Sequence, residues 1–458
     1  MIANGGANAI GGGIGQAGDS GKGGSAGSGA TMGIAGAGGA GDMAGAGGAE
    51  AGAGGGAGEA GSPGVPLRVT NLAAGTSDTC ALLNDATIRC WGYGLYGELG
   101  GGNSDNVGDD ELPSSVGAVN VGGAIRKVAT GCYHTCALLE GGTVRCWGSG
   151  GVGSLGYANT DSIGDAEFPV SAGDVDVGGE VAELATGCWQ TCVLLEAGGL
   201  RCWGSGVEGE LGYANTNDIG DDETPASAGN VDAGGVVTHI EPGIEHTCAI
   251  LQGGGVRCWG RGSEGELGYA NTDNIGDDET PASVATVDLG GKAIELALGW
   301  YHTCALLEGG KVRCWGRATD GELGYGNMDV IGDDETPASA GDVDVGAAVL
   351  HIVAGGFFTC ALTASHEVRC WGHSYAGELG YGTDLFIGDD ETPASVGSVD
   401  VGGPVAEIAA GYTHVCALLM SGAVRCWGDG TLGALGYGNT DSIGYFETPA
   451  SAGDVSVF

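Results

Sequence analysis

The sequence predicts an all-β fold, a seven-bladed β-propeller, on three observations. A motif of the form T-C-A-L-L-x-x-G-x-V-R-C-W-G first appears in weaker form at Thr79–Gly92 and recurs at a constant step of 56 residues. Residues 67 to 458 hold seven such units with no insertion or deletion. Each unit carries four short apolar runs between Gly-rich turns and no helical periodicity, which is the pattern of a four-stranded blade repeated around a ring. A parallel β-helix is the rival architecture, but its repeats are shorter and need fewer turns.

The motif itself reads as a β-hairpin, because two apolar runs flank a Gly-containing centre. If Leu139 faces Thr143 across Glu140, Gly141 and Gly142, then Leu138 faces Val144 and Cys136 faces Cys146. Directly opposed residues have Cα atoms about 4.5 to 5.5 Å apart, within reach of a disulfide. The expected bridges are Cys80 to Cys90, Cys136 to Cys146, Cys192 to Cys202, Cys248 to Cys258, Cys304 to Cys314, Cys360 to Cys370 and Cys416 to Cys426. Reduced core thiols are the alternative. The spacing does not match zinc ligands, which come as closely spaced pairs. Cys132 and Cys188 stand outside these pairs at equivalent points of neighbouring units, either as a staple between blades or as free thiols.

In chain order, residues 1–66 are mostly Gly and Ala with scattered Ser and single charges, a composition unable to bury enough apolar surface to order itself. They read as a flexible tether. From Pro66 the repeats begin, each with a first strand such as Val181 to Ala185, a T-G or A-G turn, the Cys strand, the V-R-C-W strand, a Gly-rich acidic loop and a short V-D-V strand. Between units, Val175 to Leu184 reads V-D-V-G-G-E-V-A-E-L, and Gly-Gly between apolar alternations is a hairpin signal. This puts V-D-V in the blade of the strand that follows it, so the C-terminal Asp454 to Val457 is expected to complete the blade begun at Leu67. Alternatively, V-D-V is the last strand of its own contiguous blade.

The net charge of −43, with only 15 Lys and Arg, excludes nucleic acid and anionic membrane as partners, since phosphate recognition rests on basic side chains. Seven of those fifteen are the Arg of R-C-W-G, expected to be held within the fold and able to pair with the acidic loop. No run of 18 apolar residues is present, so no membrane span is expected. No secretory signal is visible at the start, whereas seven evenly placed Cys pairs belong outside the reducing cytosol. The expectation is an extracytoplasmic chain, secreted or tethered to a cell surface, its export signal lying upstream or removed.

The units resemble the repeat of the regulator of chromosome condensation family, in its secreted bacterial type. One copy runs Gly299-Trp300-Tyr301-His302-Thr303-Cys304-Ala305-Leu306, then Gly310-Lys311-Val312-Arg313-Cys314-Trp315-Gly316, then Gly321-Glu322-Leu323-Gly324. The resemblance covers residues 67–458. It implies a seven-bladed propeller used as a binding platform. The family's eukaryotic founder is a nucleotide-exchange factor for a small nuclear GTPase, and a secreted bacterial relative inhibits β-lactamases. The Cys pairs and the negative charge make this chain look like an extracellular version, with a protein or glycan as partner, a monomer, and regulation of a small GTPase as the alternative.

His134, His246, His302 and His414 share one position of the unit, and a residue recurring there in several blades is structural rather than a catalytic base, which is needed once. Trp91, Trp147, Trp203, Trp259, Trp315, Trp371 and Trp427 read as packing between blades. No catalytic or phosphate-binding motif occurs, so no enzyme activity and no organic cofactor are expected. The acidic loop, N-T-D-x-I-G-D-D-E-T-P at Asn271 to Pro281, offers the oxygens that calcium takes. Asp221, Asp222, Glu223, Asp277, Asp278, Glu279, Asp333, Asp334 and Glu335 are the candidate ligands, and solvated turns are the alternative. Trp189, Trp300, Tyr301, Phe357, Phe358 and Tyr412 vary from blade to blade on one turn of a repetitive frame, which marks them as candidate contacts for a ligand or protein. Alternatively they fill the channel mouth.

Overall fold

The computed structural model describes residues 65–458. The stretch 1–64, with its expected role as a tether, lies outside the described residues.

Seven separate sheets form, each of three antiparallel strands in chain order. The first strands are Val69–Ala74, Ile125–Thr130, Val181–Thr186, Val237–Pro242, Ala293–Leu298, Val349–Ala354 and Val405–Ala410. Together they line a central cavity, so they are the innermost strands of a seven-bladed propeller. The second strands, such as His302–Leu307, are buried at every position. Each is covered on both faces by neighbouring blades, which is why T-C-A-L-L reads as a continuous apolar run rather than an alternation. In the second blade Cys136 pairs with Cys146, Ala137 with Arg145 and Leu138 with Val144, the register expected from the motif.

The fourth strand differs from expectation. V-D-V forms no regular strand and instead makes a single backbone bond to the third strand of its own contiguous blade, as Val343 N–H does to Val312 O at 2.9 Å. It does not join the blade that follows. The C-terminal segment likewise bonds within the last blade, Val455 N–H to Val424 O at 2.8 Å, so it does not complete the blade begun at Leu67. Gly-Gly makes the crossing between blades rather than a hairpin, and the next inner strand starts against the preceding hairpin turn, Val181 N–H to Gly142 O at 2.9 Å. Each acidic loop ends in one helical turn opened by proline, for example Pro337–Ala340.

The ring is closed by the same bonds that join every other pair of blades. Ala450 N–H donates to Asp400 O at 3.0 Å between the sixth and seventh blades, and Ser114 N–H donates to Ser456 O at 2.9 Å between the first and last. Every motif tryptophan is fully buried and crosses a seam. Trp315 donates its indole N–H to Glu266 O at 2.8 Å, and Trp91 reaches Ala434 O at 3.0 Å across the closure. Buried His302 Nε2 meets Thr359 Oγ1 at 2.9 Å on the next blade, and His414 meets Thr79 at 2.8 Å. Both residue sets therefore join blades.

All sixteen cysteines are bridged, the seven pairs within hairpins and Cys132 with Cys188 between the second and third blades. Five of the motif arginines grip the V-D-V carbonyl of the preceding blade, as Arg369 Nη1 does Val345 O at 2.7 Å, whereas Arg89 and Arg201 bond carbonyls of their own blade. Where they meet a carboxylate it is not that of the I-G-D-D-E loop. Arg145 pairs with Asp174 at 2.7 Å and Arg425 with Asp454 at 3.0 Å, both aspartates preceding V-D-V.

Candidate functional site

The turn joining first and second strands gathers the variable side chains at one end of the axis. It begins with a glycine in all seven blades: Gly75, Gly131, Gly187, Gly243, Gly299, Gly355 and Gly411. A Cβ on Gly187 would lie 2.2 Å from Gly243 O, and one on Gly411 would lie 2.1 Å from Gly75 O, so this position admits no side chain. The turns also bond around the ring, Cys188 N–H to Gly243 O at 2.9 Å and Gly356 N–H to Tyr412 O at 2.9 Å. The Cys132–Cys188 bridge is a covalent member of this glycine annulus.

The two residues after the glycine are free to vary, and here aromatic rings collect in two arcs. Over the fifth to seventh blades, Trp300 packs against Tyr412 at 4.4 Å between ring centroids and edge-on against Phe357 at 5.0 Å. Arginines from the loops after the third strands cover two of these rings, Arg261 over Tyr301 at 4.3 Å and Arg317 over Phe357 at 4.6 Å. Over the second and third blades Tyr133 stacks on Trp189 at 5.0 Å, and Tyr96 joins it edge-on at 5.5 Å. Trp189 is 36% exposed. Trp300, Tyr301, Phe357 and Tyr412 are half-buried. Phe358 is a correction, because it occupies the histidine position of its blade and is 1% exposed, packed against Gly355 where no partner reaches it.

Beneath this face lies a set of buried carboxylates not singled out in the sequence. In the G-E-L-G loops, Glu98, Glu210, Glu266 and Glu322 each accept a backbone N–H two residues earlier, at 2.8, 2.7, 2.7 and 2.7 Å. Burial pushes each of them up to about 7. Burial also drives the bridging histidines down, His134 and His414 to about 4, His246 and His302 to about 3, so they are neutral seam residues. The tyrosines of L-G-Y are a second missed set. The Tyr325 hydroxyl donates to Gly341 O at 3.1 Å and accepts from Cys314 N–H at 3.3 Å, tying the acidic loop to the third strand.

The acidic loops bring three carboxylates within 4.8 Å of one another at Asp221, Asp222 and Glu223, at Asp277, Asp278 and Glu279, and at Asp333, Asp334 and Glu335. The same grouping occurs at Asp109 to Glu111 and at Asp389 to Glu391. The central aspartate is exposed in each. Burial, a hydrogen bond that the protonated glutamate donates to the neighbouring aspartate and the repulsion of both aspartates push Glu279 and Glu391 up to about 7.

Comparisons with known proteins agree with this architecture. The Regulator of chromosome condensation (RCC1) repeat matches residues 125–154, 237–266, 293–322, 349–378 and 405–434, and in a second form residues 89–138 and 253–306. The Ultraviolet-B receptor UVR8 of Arabidopsis thaliana is 29% identical over 379 residues, 82% of this chain and 80% of that protein. The human E3 ubiquitin-protein ligase HERC2 is 28% identical over 78% of this chain, which corresponds to only 7% of that protein. Among solved structures, Prp20p of Saccharomyces cerevisiae, described with its binding to Gsp1p and histones, superposes with a TM-score of 0.61 at 20% identity. That match covers 83% of this chain and 87% of Prp20p, and at this identity it speaks of the fold alone.

Proposed function

The chain belongs to the RCC1 repeat family, and from that premise we propose that it is a non-catalytic binding scaffold working outside the reducing cytosol, secreted or held at a cell surface. One observation carries the reading: all sixteen cysteines are engaged in eight disulfides, one of them stapling the rim of the face where the variable aromatics collect. Disulfides persist in oxidising compartments. The partner, a protein or glycan, engages the aromatic arcs through Trp189, Trp300, Tyr301, Phe357 and Tyr412. Large rigid rings over a fixed frame supply contact area at low entropic cost, which supports this face. Calcium at the Asp-Asp-Glu loops belongs to the same reading, and a calcium titration leaving their carboxylate resonances unchanged retires it.

A panel of envelope proteins and glycans, set against a panel of small GTPases, tests the proposal with the oxidised full chain. Binding to an extracytoplasmic protein or glycan, weakened at least tenfold by Trp189→Ala with Trp300→Ala, is the expected result. Binding that ignores both changes assigns the contact to another face. Accelerated nucleotide release from a GTPase, the activity implied by family resemblance, replaces the scaffold with an exchange factor.

A further inference from the structure

All seven inner strands carry a β-bulge at the same place, between their first and third residues. A bulge re-aims the side chain that follows it. Here the third residue of each strand turns toward the axis, giving a ring of Asn71, Lys127, Glu183, His239, Glu295, His351 and Glu407. Six of the seven, all but Glu183, line the axial cavity, whose volume is about 620 Å³. The position that follows is a buried Leu, Val or Ile in every blade, whereas this one alternates in charge.

Most of the ring is internally paired. Asn71 Nδ2 donates to Glu407 at 2.6 Å, His239 Nδ1 to Glu183 at 2.7 Å, and His351 Nδ1 to Glu295. Glu407 and Glu295 also accept the backbone N–H of Leu72 and Ile352, at 3.0 and 3.1 Å. Two groups are left over. Lys127 lines the cavity and makes no hydrogen bond or ion pair among the described residues. Glu241 lies two residues beyond His239 on the same strand face, at a position that is alanine in five other blades and valine in one. Its nearest recorded partner, His239 Nε2, is 3.6 Å away, beyond hydrogen-bond reach. Burial pushes the Glu241 carboxyl up although His239 and Lys127 act against it, as befits a carboxylate without a bonded cation. That Nε2 is itself buried and unpartnered.

We propose that the axial cavity binds a small zwitterion of the α-amino acid class, its carboxylate received by Lys127 and its ammonium by Glu241. One unpaired ammonium and one unpaired carboxylate in a common cavity complement a ligand carrying both charges. The cavity is about twenty times the roughly 30 Å³ share of a water molecule, ample for such a ligand with its hydration. Its walls at the level of Glu241 are Ala73, Ala129, Ala185, Ala297, Val353 and Ala409, small enough to leave room beside the charges. The glycine annulus, with the Cys132–Cys188 bridge, Trp300 and Tyr412, crowds one end, so entry is from the end flanked by exposed Arg126, Ile294 and Leu350.

The test is isothermal titration of the oxidised full chain at pH 7 with each of the twenty α-amino acids, and with acetate and methylamine as single-charge probes. Saturable one-to-one binding of at least one amino acid is expected, with none for acetate or methylamine. Lys127→Asn and Glu241→Ala place in one blade the residue that a sister blade already carries, so both are expected to fold, checked by circular dichroism. Each should weaken binding at least tenfold. No saturable heat from any amino acid, binding that survives both variants, or equal binding of acetate alone overturns the proposal. Should either variant misfold, Lys127→Gln and Glu241→Gln read the same loss.

Discussion

Trp91 in the first blade donates its indole N–H to the carbonyl of Ala434 in the last, 3.0 Å apart and 343 residues away in sequence. The other six motif tryptophans make the same bond to the blade before their own, so the closing seam is built like the rest. A velcro of exchanged strands is unnecessary, since every seam, the closing one included, carries the indole bond and a backbone bond to the V-D-V carbonyl, and five of the seven add an arginine grip.

Replacing Trp91 or Trp315 by Phe keeps most of the buried ring and removes the indole bond, while the loop carbonyl beneath still accepts the Thr79 or Thr303 hydroxyl. The expected loss is about 1 kcal/mol at either site. Denaturant unfolding of the two variants measures it. A loss at Trp91 much larger than at Trp315 would show that the closure is a special seam.

Mutating one hairpin pair, Cys304→Ala with Cys314→Ala, opens a loop of about ten residues and should cost about 3 kcal/mol in the chain-entropy account. The Cys132–Cys188 bridge closes a loop of 56 residues and should cost about 4 kcal/mol. Chemical denaturation of both double variants gives the comparison, and an unchanged midpoint for either contradicts a structural role.

At the annulus, Gly187→Ala drives a methyl group into Gly243 O, where the backbone of two blades must separate. A clear fall in melting temperature is expected. A control at Gly173, where a Cβ meets nothing within 4 Å, isolates the effect of crowding, although its φ of +78° adds backbone strain of its own. Equal loss at both sites would refute the close-approach argument.

The buried histidines and the G-E-L-G glutamates pull stability in opposite directions with pH. His134, His246, His302 and His414 have folded values below the ordinary 6.5, so the unfolded chain takes up protons first. Their contribution is intact above pH 6.5 and is lost as pH falls from there through about 3 to 4. Glu98, Glu210, Glu266 and Glu322 have folded values near 7, above the ordinary 4.5, so their contribution is intact below 4.5 and is lost as pH rises through 7. Between 4.5 and 6.5 the two sets of four offset each other, and Glu279 and Glu391, also near 7, leave a net loss as pH rises. The melting temperature should therefore decline gently across that window and fall below pH 4.5. A midpoint rising steadily toward pH 3 would contradict the burial of the histidines. His239 and His351 behave differently. Burial lowers them, but the hydrogen bonds to Glu183 and Glu295 together with the negative charge of those carboxylates and of Glu241 and Glu407 outweigh it, so their imidazole resonances should titrate above 6.5.

Much of the fold was legible because the step of 56 is unbroken and the Cys pair is symmetric about its turn, which fixes the register of each hairpin. The blade assignment of V-D-V was not. Gly178-Gly179 reads locally as a hairpin, while the backbone partner of Val175 is Val144, 31 residues upstream. Phe358 was misplaced because, beside Phe357 in sequence, it looks like one of the turn aromatics, although it stands one residue later at the start of a buried strand. The L-G-Y tyrosines recur at the same step and could have been found by asking which polar side chain could bond the free backbone of the third strand. The axial ring was equally visible as a 56-step series of unlike charges. Its meaning depends on a bulge, and a bulge leaves no residue signature here.

The most direct test of the account is intact mass of the protein from its native host, alkylated before and after reduction. The account predicts no alkylated thiol before reduction and sixteen after it, corresponding to eight bridges. Sixteen thiols alkylated without reductant would contradict an oxidised scaffold and return the chain to the GTPase reading.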